Sequence, residues 1–548
     1  MEFGFVMIIR GNILNVFTDE VYPGEIYIEH GIIQSIKEVD KEFNDIIVPG
    51  FIDAHTHIES SLITPSRFAE VALKHGTTSI VTDCRELANV MGMDGVWYLV
   101  DDASSAPLNY YFTAPSSVSS NDFETRGGVI GVEDLDCLLS RDNFVGLSEV
   151  LDYDAVINKD KDVLDKISLA QKYNKPVDGY APNLGGHELQ EYFKAGIGCD
   201  SLVSFAFEVN DRRRLGVKTM IREGSNVKRL ESLINTHADF IVSDELRCED
   251  LVRGHMNNIL RKAVDLGFDP FEAIRMVTLN PAEYYGINAG AIAPNRRADL
   301  VFIDNLDDFR VHRVVINGNT IFKKHKLLYR ANPKPVNDSM NVVFKRPEDF
   351  DLKVSNANVK SATVNVIDVL ENSAFTTHNT AKLNVEKGCV IPSVFEDVLK
   401  ISVVDRYGGN NISHGFVRGF GLKNGAIASS VAHDCHNIVV VGTDSKYMAE
   451  ATNAIIESNG GLVGVSNTDK LELSLPIAGL MSDRPAYSIA KRSNSLNRFV
   501  YDMGSNLSKP FTSLSFMCSS SFPSLKITDK GLFDVDKREF VDVIISED

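Results

Sequence analysis

The chain has 548 residues, with 56 Lys+Arg against 75 Asp+Glu and a formal net charge of -19. An acidic excess of that size repels phosphate backbones and anionic lipid headgroups, which excludes generic nucleic-acid or membrane-surface binding; the densest basic run, Arg212-Arg213-Arg214, is too short to offset it. Hydrophobic residues at 44% and charged residues at 24% belong to a folded chain rather than a disordered one, and the length calls for two or three folding units.

From Met7 to Pro49, short β-branched runs alternate with turns, as in Ile13 to Phe17 and Ile32 to Lys37, and predict a small sheet of hairpins. Similar runs return at Asp299 to Ile303 and Arg313 to Ile321. They are either separate hairpins or, on the sharper reading, one β-domain built from residues 1–50 and 285–330, both flanks of a long insertion. Within that insertion, residues 51–284, eight apolar runs alternate with helical patterns: Val48 to His57, Thr77 to Cys84, Tyr110 to Pro115, Phe144 to Val150, Pro176 to Ala181, Ile197 to Phe205, Val217 to Gly224 and Asp239 to Asp244. Helices are predicted at Pro65 to His75, Lys161 to Tyr173 and Cys248 to Leu266. Repeated βα units imply an α/β fold with a parallel sheet; their number and size suit a (β/α)8 TIM-type barrel, and the pattern alone also admits a doubly wound open sheet. Asn332-Pro333-Lys334-Pro335 reads as a linker. Residues 336–548 then mix strands (Thr363 to Val369, Val398 to Val404, Asn437 to Val441) with a helix (Ser445 to Ser458), an α+β third domain.

The seven cysteines are scattered and form no CxxC pair, so neither a disulfide framework nor zinc-finger spacing is suggested. A cytoplasmic setting fits. The opening residues predict no signal peptide, and no apolar stretch approaches the roughly 18 residues that would span a bilayer.

The strongest chemical signal is His55-Thr56-His57 at the end of an apolar run. Side chains two apart on a strand share a face, so both imidazoles point into the barrel, either as a metal-binding pair or as buried histidines with backbone partners. A carboxylate is needed to neutralise a divalent ion. Glu149 and Asp244 each close a predicted strand and are candidates, the competing reading for each being an N-cap or a surface ion pair.

Seven stretches, including Pro49 to Ser61 (PGFIDAHTHIESS), Met220 to Ser225 (MIREGS), Gly425 to Asn437 (GAIASSVAHDCHN) and Leu475 to Asp483 (LPIAGLMSD), lie in the same order as in a known family. With them the sequence resembles the adenine deaminases of the amidohydrolase superfamily over essentially its whole length. The resemblance implies a metal-dependent barrel, a small β-domain and a C-terminal domain, and the hydrolysis of adenine to hypoxanthine and ammonia. By position it makes His55 and His57 metal ligands, Glu149 the metal-bridging carboxylate and Asp244 a metal ligand that also carries a proton. Arg222 and Glu223 would hold the purine ring nitrogens, or form a structural pair. His433 and His436 would lie near the active site as substrate-binding residues, or belong to a hydrogen-bonded turn.

Three histidines of the family pattern are replaced, by Arg85 in Asp83-Cys84-Arg85-Glu86, by Tyr180 in Asp178-Gly179-Tyr180 and by Ser201 in Asp200-Ser201-Leu202. A phenol or a hydroxyl is a poor ligand for such a metal. The expectation is therefore at most one divalent ion per chain, Mn, Fe or Zn, with Arg85 opposing its charge. The expected partners are a purine and other copies of the same chain, without nucleic acid or membrane. The alternatives are a catalytically silent paralogue with a binding or assembly role, and a deaminase whose purine-like substrate has shifted.

Overall fold

The computed structural model describes residues 7–118, 123–336, 339–356, 358–371 and 373–548. The chain forms two compact units, one made of Met1–Arg85, Trp97–Ser117 and Ile130–Lys334, the other of Glu86–Val96, Val118–Val129 and Pro335–Asp548.

The first unit contains an eight-stranded parallel barrel: β1 (Phe51–Thr56), β2 (Thr77–Asp83), β3 (Asn109–Ala114), β4 (Phe144–Val150), β5 (Val177–Gly179), β6 (Cys199–Asp200), β7 (Lys218–Arg222) and β8 (Phe240–Val242), each hydrogen-bonded to the next. Strands covered on both faces read as continuous apolar runs, which is why the eight runs were visible in the sequence. All seven residues of β2 and of β4 are buried. Ile52, Ala54, Val81, Val145, Met220, Phe240 and Val242 share one core cluster with Tyr285 and Ile287. The barrel closes just past the end of β8, where the Asp244 amide donates to His55 O (3.0 Å) and the His57 amide donates to Asp244 O (2.9 Å). The residues with the strongest chemical signal therefore also make the closing ladder.

Two predicted strands are much shorter than their apolar runs. Beyond Gly179 and Asp200 the amides of Ala181 and Leu202 bond the Asp200 carboxylate instead of a neighbouring strand, so the ladder stops and the loops begin. The helix expected over Cys248 to Leu266 is split into Cys248–Leu251 and Met256–Asp265. Gly254 weakens the helix there, and the His255 ring turns inward to lie 3.1 Å from the Asp53 carboxylate and 2.7 Å from Thr77 Oγ1.

A second sheet of the same unit has eight strands, with Ile46–Pro49 between the parallel strand Met7–Asn15 and the antiparallel strand Leu300–Ile303. Both flanks of the barrel segment thus enter one sheet, with Ile13, Ile26, Ile47, Leu300 and Phe302 in its core.

In the second unit, a ten-stranded sheet includes Ser361–Val369, Val398–Val404 and Ile438–Gly442, and the helix Ser445–Glu457 packs its Met448, Ala451 and Ile455 against it. Among the described residues, no helix is long and apolar enough to cross a membrane.

Candidate metal centre

The carboxyl ends of β1, β4 and β8 bring His55, His57, Glu149 and Asp244 together, all buried. Asp244 follows β8 with a left-handed backbone (φ 55°), a conformation that Asp tolerates better than most residues and that tends to mark functional sites. His55 Nε2 lies 3.6 Å from Asp244 Oδ1 and 3.9 Å from Glu149 Oε1, and His57 Nε2 lies 3.8 Å from the same Asp244 oxygen. These separations exceed hydrogen-bond length. They suit donors that converge on a cation about 2.0 to 2.2 Å from each. His55 Nε2 is buried and has no hydrogen-bond partner among the described residues. The ligating atoms of His55, His57 and Asp244 lie within 4.8 Å of one another. Two imidazole nitrogens and two carboxylates form a mixed donor set that fits one divalent ion.

The electrostatics follow from burial and from one guanidinium. Burial pushes the His55 imidazole down to about 4, so at neutral pH it is uncharged and able to ligate. Burial pushes the Asp244 carboxyl up to about 7 against the pull of Arg222, and a divalent ion beside it would pull the same way as Arg222. Burial also acts to raise Glu149, but Arg222 and then His55 outweigh it and hold the carboxyl below its ordinary range. Arg222, the last residue of β7, reaches both acids: Nη1 is 2.9 Å from Asp244 Oδ1, and Nη2 bonds Glu149 Oε1. Its Nε donates to Ser201 O at 2.7 Å, and Nη2 also lies 2.9 Å from Ser201 Oγ, whose hydroxyl donates to Glu149. The Tyr180 ring lies 5.7 Å from the guanidinium carbon, and burial raises its phenol to about 12. Tyr180 and Ser201 thus sit in the same polar cluster as Glu149, as uncharged groups.

Residues 46–321 match the amidohydrolase family, and residues 373–539 match the adenine deaminase C-terminal domain. Over 541 residues, 99% of this chain and 100% of the relative, the sequence is 61% identical to an adenine deaminase of Methanosphaera stadtmanae. The chain belongs to the adenine deaminase family. It is also 47% identical to an adenine deaminase of Methanothermobacter thermautotrophicus, covering 97% of this chain and 98% of that one. With an adenine deaminase of Borreliella afzelii it shares 38% identity over 97% of this chain and 99% of the relative. Membership in the amidohydrolase family implies a divalent metal, and the convergence of His55, His57 and Asp244 offers the place for it.

Glu223, Arg85, His433 and His436 each have neighbours of their own. Glu223 pairs with Lys262 and accepts from the Leu230 amide at 3.1 Å. It is next in sequence to Arg222 and faces away from it, as successive residues of an extended chain do. Arg85 acts on His55 and Glu149 through space, behind Arg222 in each case. His436 contacts Glu86 and His433 stacks on Phe516 with ring centroids 5.3 Å apart, all within the second unit.

One buried network escaped the sequence analysis. The Asp53 carboxylate accepts from both the amide and the hydroxyl of Ser243, in addition to its contact with His255, and so ties β1 to the end of β8 beneath the imidazoles. Its signal was the i, i+2 spacing from His55, which places Asp53 on the same inward face.

Proposed function

We propose that this protein hydrolyses adenine to hypoxanthine and ammonia with one divalent ion, Mn, Fe or Zn, held by His55, His57, Glu149 and Asp244. The observation that carries the reading is the convergence of two imidazoles and the Asp244 carboxylate on one buried point, at separations of 3.6 and 3.8 Å, longer than hydrogen bonds. The activity for which its relatives are named supplies the substrate, and the residues present supply the chemistry.

Carbon 6 of adenine is weakly electrophilic and its amino group leaves poorly, so the reaction needs an activated water and a proton for the departing nitrogen. When bound, the ion lowers the pKa of water so that a nucleophile exists near neutral pH. Asp244 would take a proton from the attacking water and deliver it to the leaving amino group. Its carboxyl is fixed for this by Arg222 Nη1 on one side and by the barrel-closing backbone bonds on the other. Glu149 stays ionised under the Arg222 and Ser201 hydrogen bonds and holds the second face of the site. His55, neutral at pH 7, and His57 would hold the ion.

The purified chain, loaded with Mn(II), is expected to release one ammonia and one hypoxanthine per adenine consumed. Chelation should abolish the release, and added Mn(II) should restore it. A folded, metal-loaded chain that leaves adenine untouched while binding it would instead identify a purine-binding paralogue.

A further inference from the structure

Glu149 Oε1 and Asp244 Oδ1 each face two directions. On one side are the imidazoles, 3.6 to 3.9 Å away across a gap of ligand-to-ligand length. On the other is Arg222, with Nη1 2.9 Å from the Asp244 oxygen and Nη2 bonded to the Glu149 oxygen. The same two oxygens therefore serve a metal position and a guanidinium at once.

We propose that Arg222 is a built-in second cation, whose guanidinium bridges Glu149 and Asp244 in the place of a second divalent ion and limits the centre to one. This rests on the single-metal reading proposed above.

Three features support it. The fork is anchored by Ser201, which takes Nε on its carbonyl at 2.7 Å and Nη2 on its hydroxyl at 2.9 Å while that hydroxyl donates a hydrogen bond to Glu149. One hydroxyl thus accepts from the cation and donates to the anion, which suits a serine. The Tyr180 ring, 5.7 Å from the guanidinium carbon, adds a cation–π contact and brings no charge. Finally, the charge count favours a single ion. Among the groups in direct contact, two carboxylates and one permanent guanidinium leave one net negative charge, which a divalent ion turns into one positive. A second ion would leave three uncompensated positive charges in a buried pocket, where Coulomb repulsion is weakly screened.

The proposal separates the effect of Arg222 from that of the two uncharged groups beside it. The full-length chain and its variants are dialysed against Mn(II), and bound metal is counted by elemental analysis on protein whose circular dichroism matches the parent. The parent is expected to bind one ion. Tyr180→His with Ser201→His, which supplies two imidazoles but keeps Arg222, should still bind one. Adding Arg222→Met should raise the count to two, and adding Arg222→Lys instead should keep it at one. Arg222→Met alone should tighten the first ion at least tenfold, because the pocket gains a full negative charge. Two ions in the double-histidine variant with Arg222 in place would overturn the proposal, and that variant decides the matter even if the Arg222→Met proteins fail to fold. So would a folded Arg222→Met chain with unchanged affinity, or a folded triple variant that still binds one ion. A parent that binds no metal would overturn the single-metal reading and this inference together, whereas one ion in the parent and two in the double variant would overturn only this inference.

Discussion

Asp244→Asn is expected to lower adenine deamination by a hundred- to ten-thousand-fold, the range associated with loss of a positioned proton carrier. The carboxamide keeps the size and one oxygen of the original side chain but cannot take a proton from water and return it to the amino group. The charge also changes, since Arg222 Nη1 loses its anionic partner at 2.9 Å and retains only Glu149. Steady-state rates of ammonia release, set against metal content, separate these effects. If the ion remains bound, the fall in kcat reports the proton transfer. A variant that keeps its metal and more than a tenth of the parent rate would remove Asp244 from the proposed chemistry.

Arg212→Met should be among the most destabilising single changes in the first unit. Arg212 is 1% exposed and Asp200 0%; Arg212 Nε meets Asp200 Oδ2 at 2.9 Å and Nη2 donates to Ala181 O at 2.7 Å. The carboxylate in turn holds the amides of Ala181 and Leu202, so one ion pair fastens the loops that follow Tyr180 and Ser201. Removing the guanidinium strands a buried anion, which typically costs about 3 to 5 kcal/mol and lowers the melting temperature by roughly 10 °C. Asp200→Asn combined with Arg212→Met should recover part of that loss, because no buried charge is left unpaired. Melting curves of the two variants and the parent check both statements; a melting temperature within 1 °C of the parent for Arg212→Met would show that the pair contributes nothing.

Much of the fold was legible because barrel strands are buried on both faces and their apolar runs need no partner to be recognised. Phe144–Val150 has the predicted limits, and the sheet shared by Met7–Asn15 and Leu300–Ile303 was foreshadowed by two sets of β-branched runs. The limits of β5 and β6 were not legible, since they are set by a side chain, Asp200, that competes with the ladder for backbone amides. In the site, His55 and His57 announced themselves by spacing, and Glu149 and Asp244 by their places at strand ends. Arg222, which the sequence offers either as a holder of the purine ring nitrogens or as half of a structural pair with Glu223, is in direct contact with both acids, while Arg85 acts on His55 and Glu149 through space. The Arg222 contacts at Glu149 and Asp244 arise only when the barrel closes, and no local periodicity records pairings over such sequence distances. The Asp53–Ser243 brace, 190 residues apart in the chain, was hidden for the same reason.

The central claim, one divalent ion per chain serving adenine hydrolysis, is tested most directly by titrating the metal-free protein with Mn(II) while following ammonia release from adenine. The rate is expected to rise linearly and to level off at one equivalent per chain, and His55→Ala should abolish the response. A rate that continues to rise to two equivalents, or no ammonia at any metal loading of the folded protein, would contradict the account.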